Sequence, residues 1–139
     1  MMVLRAETRA RARALQLLYA WETDGQPPAD QVLTSLDRLL GEDLEVRRLA
    51  ADLFRGVVRE SRALDGRIQP AAEHWRLERL ALVDRNILRL AIFELVHQRV
   101  PPRVAIDEAL WLAHRFGGRE TPAFINGVLD PIARSLGQL

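Results

Sequence analysis

Cysteine and lysine are both absent from these 139 residues. Without cysteine there is no disulfide framework, no thiolate nucleophile and no cysteine-ligated zinc. A reducing compartment fits that composition. Without lysine, all 20 basic residues are arginine, so any phosphate contact uses the planar guanidinium fork. No apolar run approaches the ~18 residues of a membrane span. The basic N-terminus is not followed by the apolar run and small-residue cleavage site of a signal peptide. The expected location is cytoplasmic, with no membrane contact.

Catalysis also lacks its usual materials. His74, His97 and His114 are far apart and show no metal-ligand spacing. His97 falls near a helix C-terminus, where the dipole accounts for it. Gly117-Gly118 reads as a helix stop, and no other glycine-rich stretch could cradle a phosphate. Asp107 and Glu108 are adjacent, hence splayed by 100° on a helix, and read as N-terminal acids. The chain is expected to be no enzyme and to carry no cofactor or metal.

What is present is arginine at one end. Arg5, Arg9, Arg11 and Arg13 crowd the start, with Glu7 among them. Residues 1–20 carry +3, four arginines against one glutamate, so a net charge of +1 leaves −2 for the rest. A domain with one basic end commonly uses it on a polyanion. Hydrophobic content of 48% and charged content of 28% are those of an ordinary globular protein. The length suits one domain, burying roughly 68–70% of its unfolded surface.

Apolar spacing predicts helices throughout, with few period-2 segments. The first spans 8–23, stopped by Asp24-Gly25 and Pro27-Pro28. The second spans 29–40, with Val32, Leu33, Leu36, Leu39 and Leu40 on one side. A long element at 43–69 carries Leu49, Leu53, Phe54, Val57 and Val58 inward, should break near Ser61, and ends at Pro70. Trp75, Leu77, Leu80 and Leu82 suggest a short helix or turn. Residues 82–98 are apolar almost all round and read as the buried central helix. The next helix, 103–116, presents Ile106, Ala109, Leu110, Ala113 and Phe116. Thr121 is read as an N-cap and Pro122 as the first helical position of the last. Ile125, Val128, Leu129, Ile132, Ala133 and Leu136 form that helix's stripe. The expected architecture is all-α, a compact bundle of six to seven helices, with halves 1–72 and 73–139 dividing near Pro70–Arg79.

A few residues fit a purely structural role poorly. On the first helix, Ala10, Ala14, Leu18 and Trp21 define the buried side. Arg5, Arg9 and Arg13 then form a ridge at four-residue spacing, with Gln16 and Tyr19 on or beside the same face. That ridge could track a phosphate backbone and Tyr19 could stack on a base, or the face is simply solvated. Arg11 falls inside the apolar arc, which suggests snorkelling or an acid partner, or an RNA contact if the helix end is open. Phe124 lies about 110° from its helix's apolar centre by 3.6-residue geometry, either packed on a neighbour or offered to a ligand. Asn126 and Asp130 also lie off that stripe. Gly127 costs about 1 kcal/mol of helix propensity relative to Ala, suggesting close helix approach or room for a partner. Asp84 and Arg85 open the central helix, where the acid complements the dipole and is available to a partner.

Four ordered segments resemble a known family. They are Arg11–Trp21 (RARALQLLYAW), Val83–Leu95 (VDRNILRLAIFEL), Val100–Leu110 (VPPRVAIDEAL), and Phe116-Gly117 followed by Phe124–Asp130 (FINGVLD). Together they resemble the NusB family of bacterial transcription antitermination factors. The resemblance implies two packed helical subdomains. It implies binding of boxA-type single-stranded RNA in ribosomal RNA transcripts, jointly with the small-subunit ribosomal protein that doubles as NusE. The complex would load onto elongating RNA polymerase with other Nus factors. Carried over by position, the resemblance points to Arg9, Arg11, Arg13, Gln16, Tyr19, Glu120 and Phe124 for RNA. It points to Tyr19, Asp84 and Arg85 for the protein partner. Asp84 is the shorter acid where the family often has Glu, and Glu7-Thr8 interrupt the usual basic run, so weaker RNA binding than a typical member is expected.

Two alternatives stand beside this reading. One is an RNA-docking module like the NusB-like segment of RNA cytosine methyltransferases; a chain ending at Leu139 leaves no room for the catalytic domain those proteins continue into. The other is a helical protein-interaction module, which would use Asp84 and Phe124 without RNA. Free monomer and homodimer both remain open.

Overall fold

Helices make up all the regular structure among the described residues, 4–72 and 80–138, of the computed structural model. The chain divides into two compact units, residues 1–59 and 60–139. The all-α expectation holds. The segment holding His74, Trp75, Leu77 and Arg79 lies outside the described residues.

The first unit contains α1 (Ala6–Thr23), α2 (Ala29–Ser35), a 3-10 turn (Asp37–Leu40) and α3 (Leu44–Arg59). α1 packs chiefly on α3. Its buried side holds Ala10, Ala14, Leu15, Leu17, Leu18 and Trp21, against Val46, Ala50, Leu53, Phe54 and Val57 available from α3. Trp21 Nε1 donates to the Pro27 carbonyl at 3.0 Å, tying the turn after α1 to the helix it follows. Gly25 at φ 83° supplies the left-handed residue that this turn requires. The single helix expected over 29–40 is two pieces: it stops at Ser35 and resumes as the 3-10 turn after Leu36. Leu40 of that turn is buried, and Arg47 clamps the turn by pairing with Asp37 and donating to the Gly41 carbonyl at 2.7 Å.

The second unit contains α4 (Ser61–Ala71), α5 (Leu82–Val96), α6 (Pro102–Phe116) and α7 (Thr121–Ser135). The expected break falls at Glu60, one residue before Ser61. Pro70 does not end its helix but sits in the last turn of α4, where a single backbone hydrogen bond is forgone. α4 packs on α5 and α7, so it belongs with them, and the boundary lies ahead of the Pro70–Arg79 segment. α5 is the central helix: every residue from Asn86 to Leu95 is buried. It ends at Val96, two residues short of the sequence reading, because Gln98 takes φ 50° and closes the C-terminus. His97, the C-cap residue, also meets Glu60, with Nε2 2.8 Å from both carboxylate oxygens.

One buried ion pair holds α4 to α5. Arg89 is 2% exposed, yet Nε reaches Asp65 Oδ1 at 2.6 Å and Nη2 reaches Oδ2 at 2.9 Å. Nη1 donates to Asn86 Oδ1 at 3.0 Å. A charge excluded from water is tolerated only with this degree of pairing.

Candidate functional site

The residues singled out in the sequence, both the RNA set and the partner set, are divided between the two units. In the first unit, α1 carries Arg5, Arg9, Arg13, Gln16 and Tyr19. Arg5 is exposed at the N-cap position, Arg9, Arg13 and Gln16 are half-buried, and Tyr19 is 47% exposed. Four-residue spacing at 1.5 Å per residue spreads the arginine ridge over roughly 12 Å. Arg13 has no ion-pair partner among the described residues, whereas Arg9 is engaged: its Nη2 lies 3.2 Å from Asp43 Oδ2.

Asp43 is a feature that the sequence reading missed. Its Oδ1 accepts from the backbone N–H of Glu45 at 3.0 Å and of Val46 at 3.4 Å, so it caps the start of α3. The Val46 bond, aided by the Glu45 bond and by Arg9, holds the carboxyl below the usual aspartate range. That stabilisation is present above the unfolded pKa and is lost as pH falls through the lowered folded value. An Asp three residues before an apolar helical position was the available signal. Its pairing with Arg9, 34 residues away, had none.

Arg11 does not join the ridge. It is 4% exposed and has an interaction partner, which matches the pairing reading of this arginine and not the open helix end that an RNA contact would need. The apolar arc that made it anomalous is the reason.

In the second unit, Asp84, Glu120 and Phe124 come together. They line one concavity of about 470 Å³ with Leu80, Ala81, Gly118, Arg119 and Thr121. Asp84 stands in the first turn of α5 and Thr121 opens α7. The N-cap residue is Glu120, without a side-chain cap, so Thr121 is the first helical residue and not the cap. Its hydroxyl is used elsewhere: it accepts from the Gly118 N–H at 2.9 Å and donates to Asp84 Oδ1 at 3.1 Å. Burial pushes the Asp84 carboxyl above the ordinary range, and the Thr121 bond partly opposes this. The folded state therefore holds that proton more tightly than the unfolded chain. The resulting stability is complete below the unfolded pKa and is lost as pH rises through the folded one. Arg85 turns back to its own helix start, with Nη2 3.2 Å from the Leu80 carbonyl.

Phe124 is half-buried and also lines a second groove, between α4 and α7, with Gly66, Pro70, Gly127 and Pro131. Of the two readings of Gly127, close helix approach is excluded: a Cβ built there meets nothing within 4 Å. Gly127→Ala should therefore raise folding stability by about 1 kcal/mol, read as a higher urea midpoint at unchanged slope. A loss of stability would show that the glycine serves a contact within the chain. Asp130 pairs with Arg134 at 2.9 Å along α7, and Asn126 is exposed.

Among the described residues no group of His, Cys, Asp and Glu could hold a metal ion, and no helix is long and apolar enough to cross a membrane. Comparison with known proteins gives the family. The family model for the NusB family matches residues 8–134. The transcription antitermination protein NusB of Solibacter usitatus is 45% identical, over 92% of this chain and 88% of that one. Its counterpart from Sorangium cellulosum is 44% identical over 96% of both. Among solved structures, T. maritima NusB superposes with a TM-score of 0.83 at 33% identity, covering 96% of this chain and 93% of that one. A crystal structure of the antitermination factors NusB and NusE in complex with double-stranded RNA matches with a TM-score of 0.79 at 26% identity, covering 96% and 99%. With the four ordered segments, the all-α units and these matches in agreement over nearly the whole length, the chain belongs to the NusB family.

Proposed function

We propose that this protein is a transcription antitermination factor that binds boxA-type single-stranded RNA of ribosomal RNA transcripts together with NusE, without catalysing a reaction. The observation that carries the reading is its likeness, over 96% of the chain, to a NusB seen with NusE and RNA. The partly exposed ridge on α1 supports it as well, since guanidinium groups and a ring at one face suit phosphates and a base. In this reading Arg5, Arg9, Arg13, Gln16 and Tyr19 form one RNA-contacting set, and Glu120 and Phe124 another. Arg11 is left out of both because it is buried. Asp84 meets NusE, with Tyr19 and Arg85 as further contacts of that partner; Arg85 also holds the Leu80 carbonyl within the chain. Other Nus factors and RNA polymerase are reached indirectly, and work on nascent transcripts places the protein in the cytoplasm.

Arg9 and Arg13 of the ridge should not be equivalent. Arg9 must give up Asp43 to reach a phosphate, whereas Arg13 gives up no ion pair. Arg13→Ala should weaken boxA binding more than Arg9→Ala. It should also flatten log K against log[salt] by about 0.7 for one lost single-strand phosphate contact. The measurement is a titration of boxA RNA, scrambled RNA and a boxA duplex with NusE present, each at several salt concentrations. Flat salt dependence, or equal affinity for boxA and scrambled RNA, would sink the RNA assignment.

A further inference from the structure

We infer that Thr121 is the positioning residue of Asp84, fixing one carboxylate oxygen so that the other is presented to a basic side chain of the protein partner. This rests on the reading above that Asp84 meets NusE. The geometry leaves the hydroxyl one arrangement. Thr121 is 6% exposed. Its oxygen receives the Gly118 N–H at 2.9 Å, and its only proton then points at Asp84 Oδ1, 3.1 Å away. A hydroxyl has a single proton to give, so the chain Gly118 N–H to Thr121 O–H to Asp84 runs one way.

The consequence is an asymmetric carboxylate. Oδ1 is occupied, and Oδ2 has no hydrogen bond or ion pair among the described residues. Asp84 lines the concavity with the apolar Leu80 and Ala81 and the ring of Phe124. A partly dry carboxylate beside an aromatic ring suits a guanidinium, which can pair with the acid while its plane lies on the ring. Two charged side chains of this chain also border the concavity, Arg119 and Glu120, both exposed. Among the described residues neither is paired with Asp84, and in this proposal the cation's place belongs to the partner.

Thr121 thus does for Asp84 what a cap does for a helix end: it removes the freedom of a short acid. That bears on the shorter reach of Asp compared with Glu. A carboxylate held at one oxygen loses less conformational freedom when a partner arrives.

The experiment pairs Thr121→Val, which keeps shape and removes the hydroxyl, with Thr121→Ser, which keeps the hydroxyl. NusE affinity is measured by calorimetry, and the Asp84 carboxyl is titrated by carbon NMR in the free protein. Asp84→Asn should weaken NusE binding by about 10- to 100-fold, the range for a lost hydrogen bond to a charged group. Thr121→Val should weaken it by about tenfold and move the Asp84 midpoint upward, and Thr121→Ser should restore both. If Asp84→Asn leaves affinity unchanged, the placement of Asp84 at the NusE interface fails. If Asp84→Asn weakens binding while Thr121→Val changes neither affinity nor midpoint, the positioning role is overturned. Should Thr121→Val not fold, the wild-type protein decides: a slowly exchanging Thr121 hydroxyl proton whose shift follows Asp84 titration supports the role, and a freely exchanging one rejects it.

Discussion

Replacing Asp65 by alanine should remove about 3 kcal/mol or more of folding stability, read as a fall in urea midpoint at unchanged slope. The reason lies in what is left behind. Arg89 is 2% exposed and sends Nε and Nη2 to the two oxygens of Asp65. Without that acid, a guanidinium remains in the interior stripped of the carboxylate that receives two of its nitrogens, and a neutral contact such as the Asn86 bond does not replace that charge. Desolvated charge of this kind is what makes breaking a buried pair so much costlier than the pair's net worth. The companion experiment tests that logic. Arg89→Met on the Asp65→Ala background should recover most of the loss, because it deletes the stranded charge and keeps an unbranched apolar chain of similar length. A loss below about 1 kcal/mol in the single variant would mean that the pair behaves as an exposed one.

Arg89 also shows where a sequence reading stops. The central helix was legible because ten successive residues, Asn86 to Leu95, are buried and seven of them are apolar. Arg89 and Glu94 interrupt that run with charge, and nothing in local spacing says which acid answers Arg89. Asp65 does so from 24 residues away. Long-range pairs of this sort are set by packing, and periodicity within one helix carries no information about them. The same limit applies to Arg9: its place on the α1 ridge follows from four-residue spacing, but its engagement with Asp43 does not.

Local chemistry was misread where a residue serves two elements at once. Thr121 before a proline is a reasonable N-cap by sequence, yet its hydroxyl goes to Gly118 and Asp84. Pro70 looks like a terminator, yet at the end of α4 it forgoes only one bond and the helix runs on to Ala71. The second helix looked continuous because Val32, Leu33, Leu36, Leu39 and Leu40 share a period. Leu36 takes φ −111°, ψ 29°, outside helical geometry, and the chain tightens into a 3-10 turn. By contrast, the resemblance pointed to Glu120 and Phe124 for RNA and to Asp84 for the protein partner, and that all three line one concavity was not legible in the sequence.

Gly117→Ala is the second substitution with a large expected effect, and it acts on that concavity from behind. Gly117 has φ −90° and ψ −179°, a backbone open to any residue, so conformation does not explain it. Space does. A Cβ there would lie 2.6 Å from Thr121 Cγ2, 2.7 Å from Thr121 Cβ and 2.8 Å from the Ala113 carbonyl oxygen. Two of these are a buried side chain pinned by hydrogen bonds, and the third is helix backbone, so none can yield easily. Overpacking of this kind costs on the order of 1–3 kcal/mol. Gly118→Ala is the matched control: its nearest neighbour would be Thr121 Oγ1 at 3.9 Å, an ordinary contact, and the N–H that reaches Thr121 is retained. The two variants differ by one position and by one methyl group's surroundings. Gly117→Ala should lower the urea midpoint and weaken NusE binding together, because moving Thr121 releases Asp84. Gly118→Ala should leave both within about 0.5 kcal/mol of the parent. Equal stability for the two would mean that the Gly117–Thr121 contact relaxes without cost. A destabilised Gly117→Ala that still binds NusE at full strength would separate the fold of this corner from the presentation of Asp84.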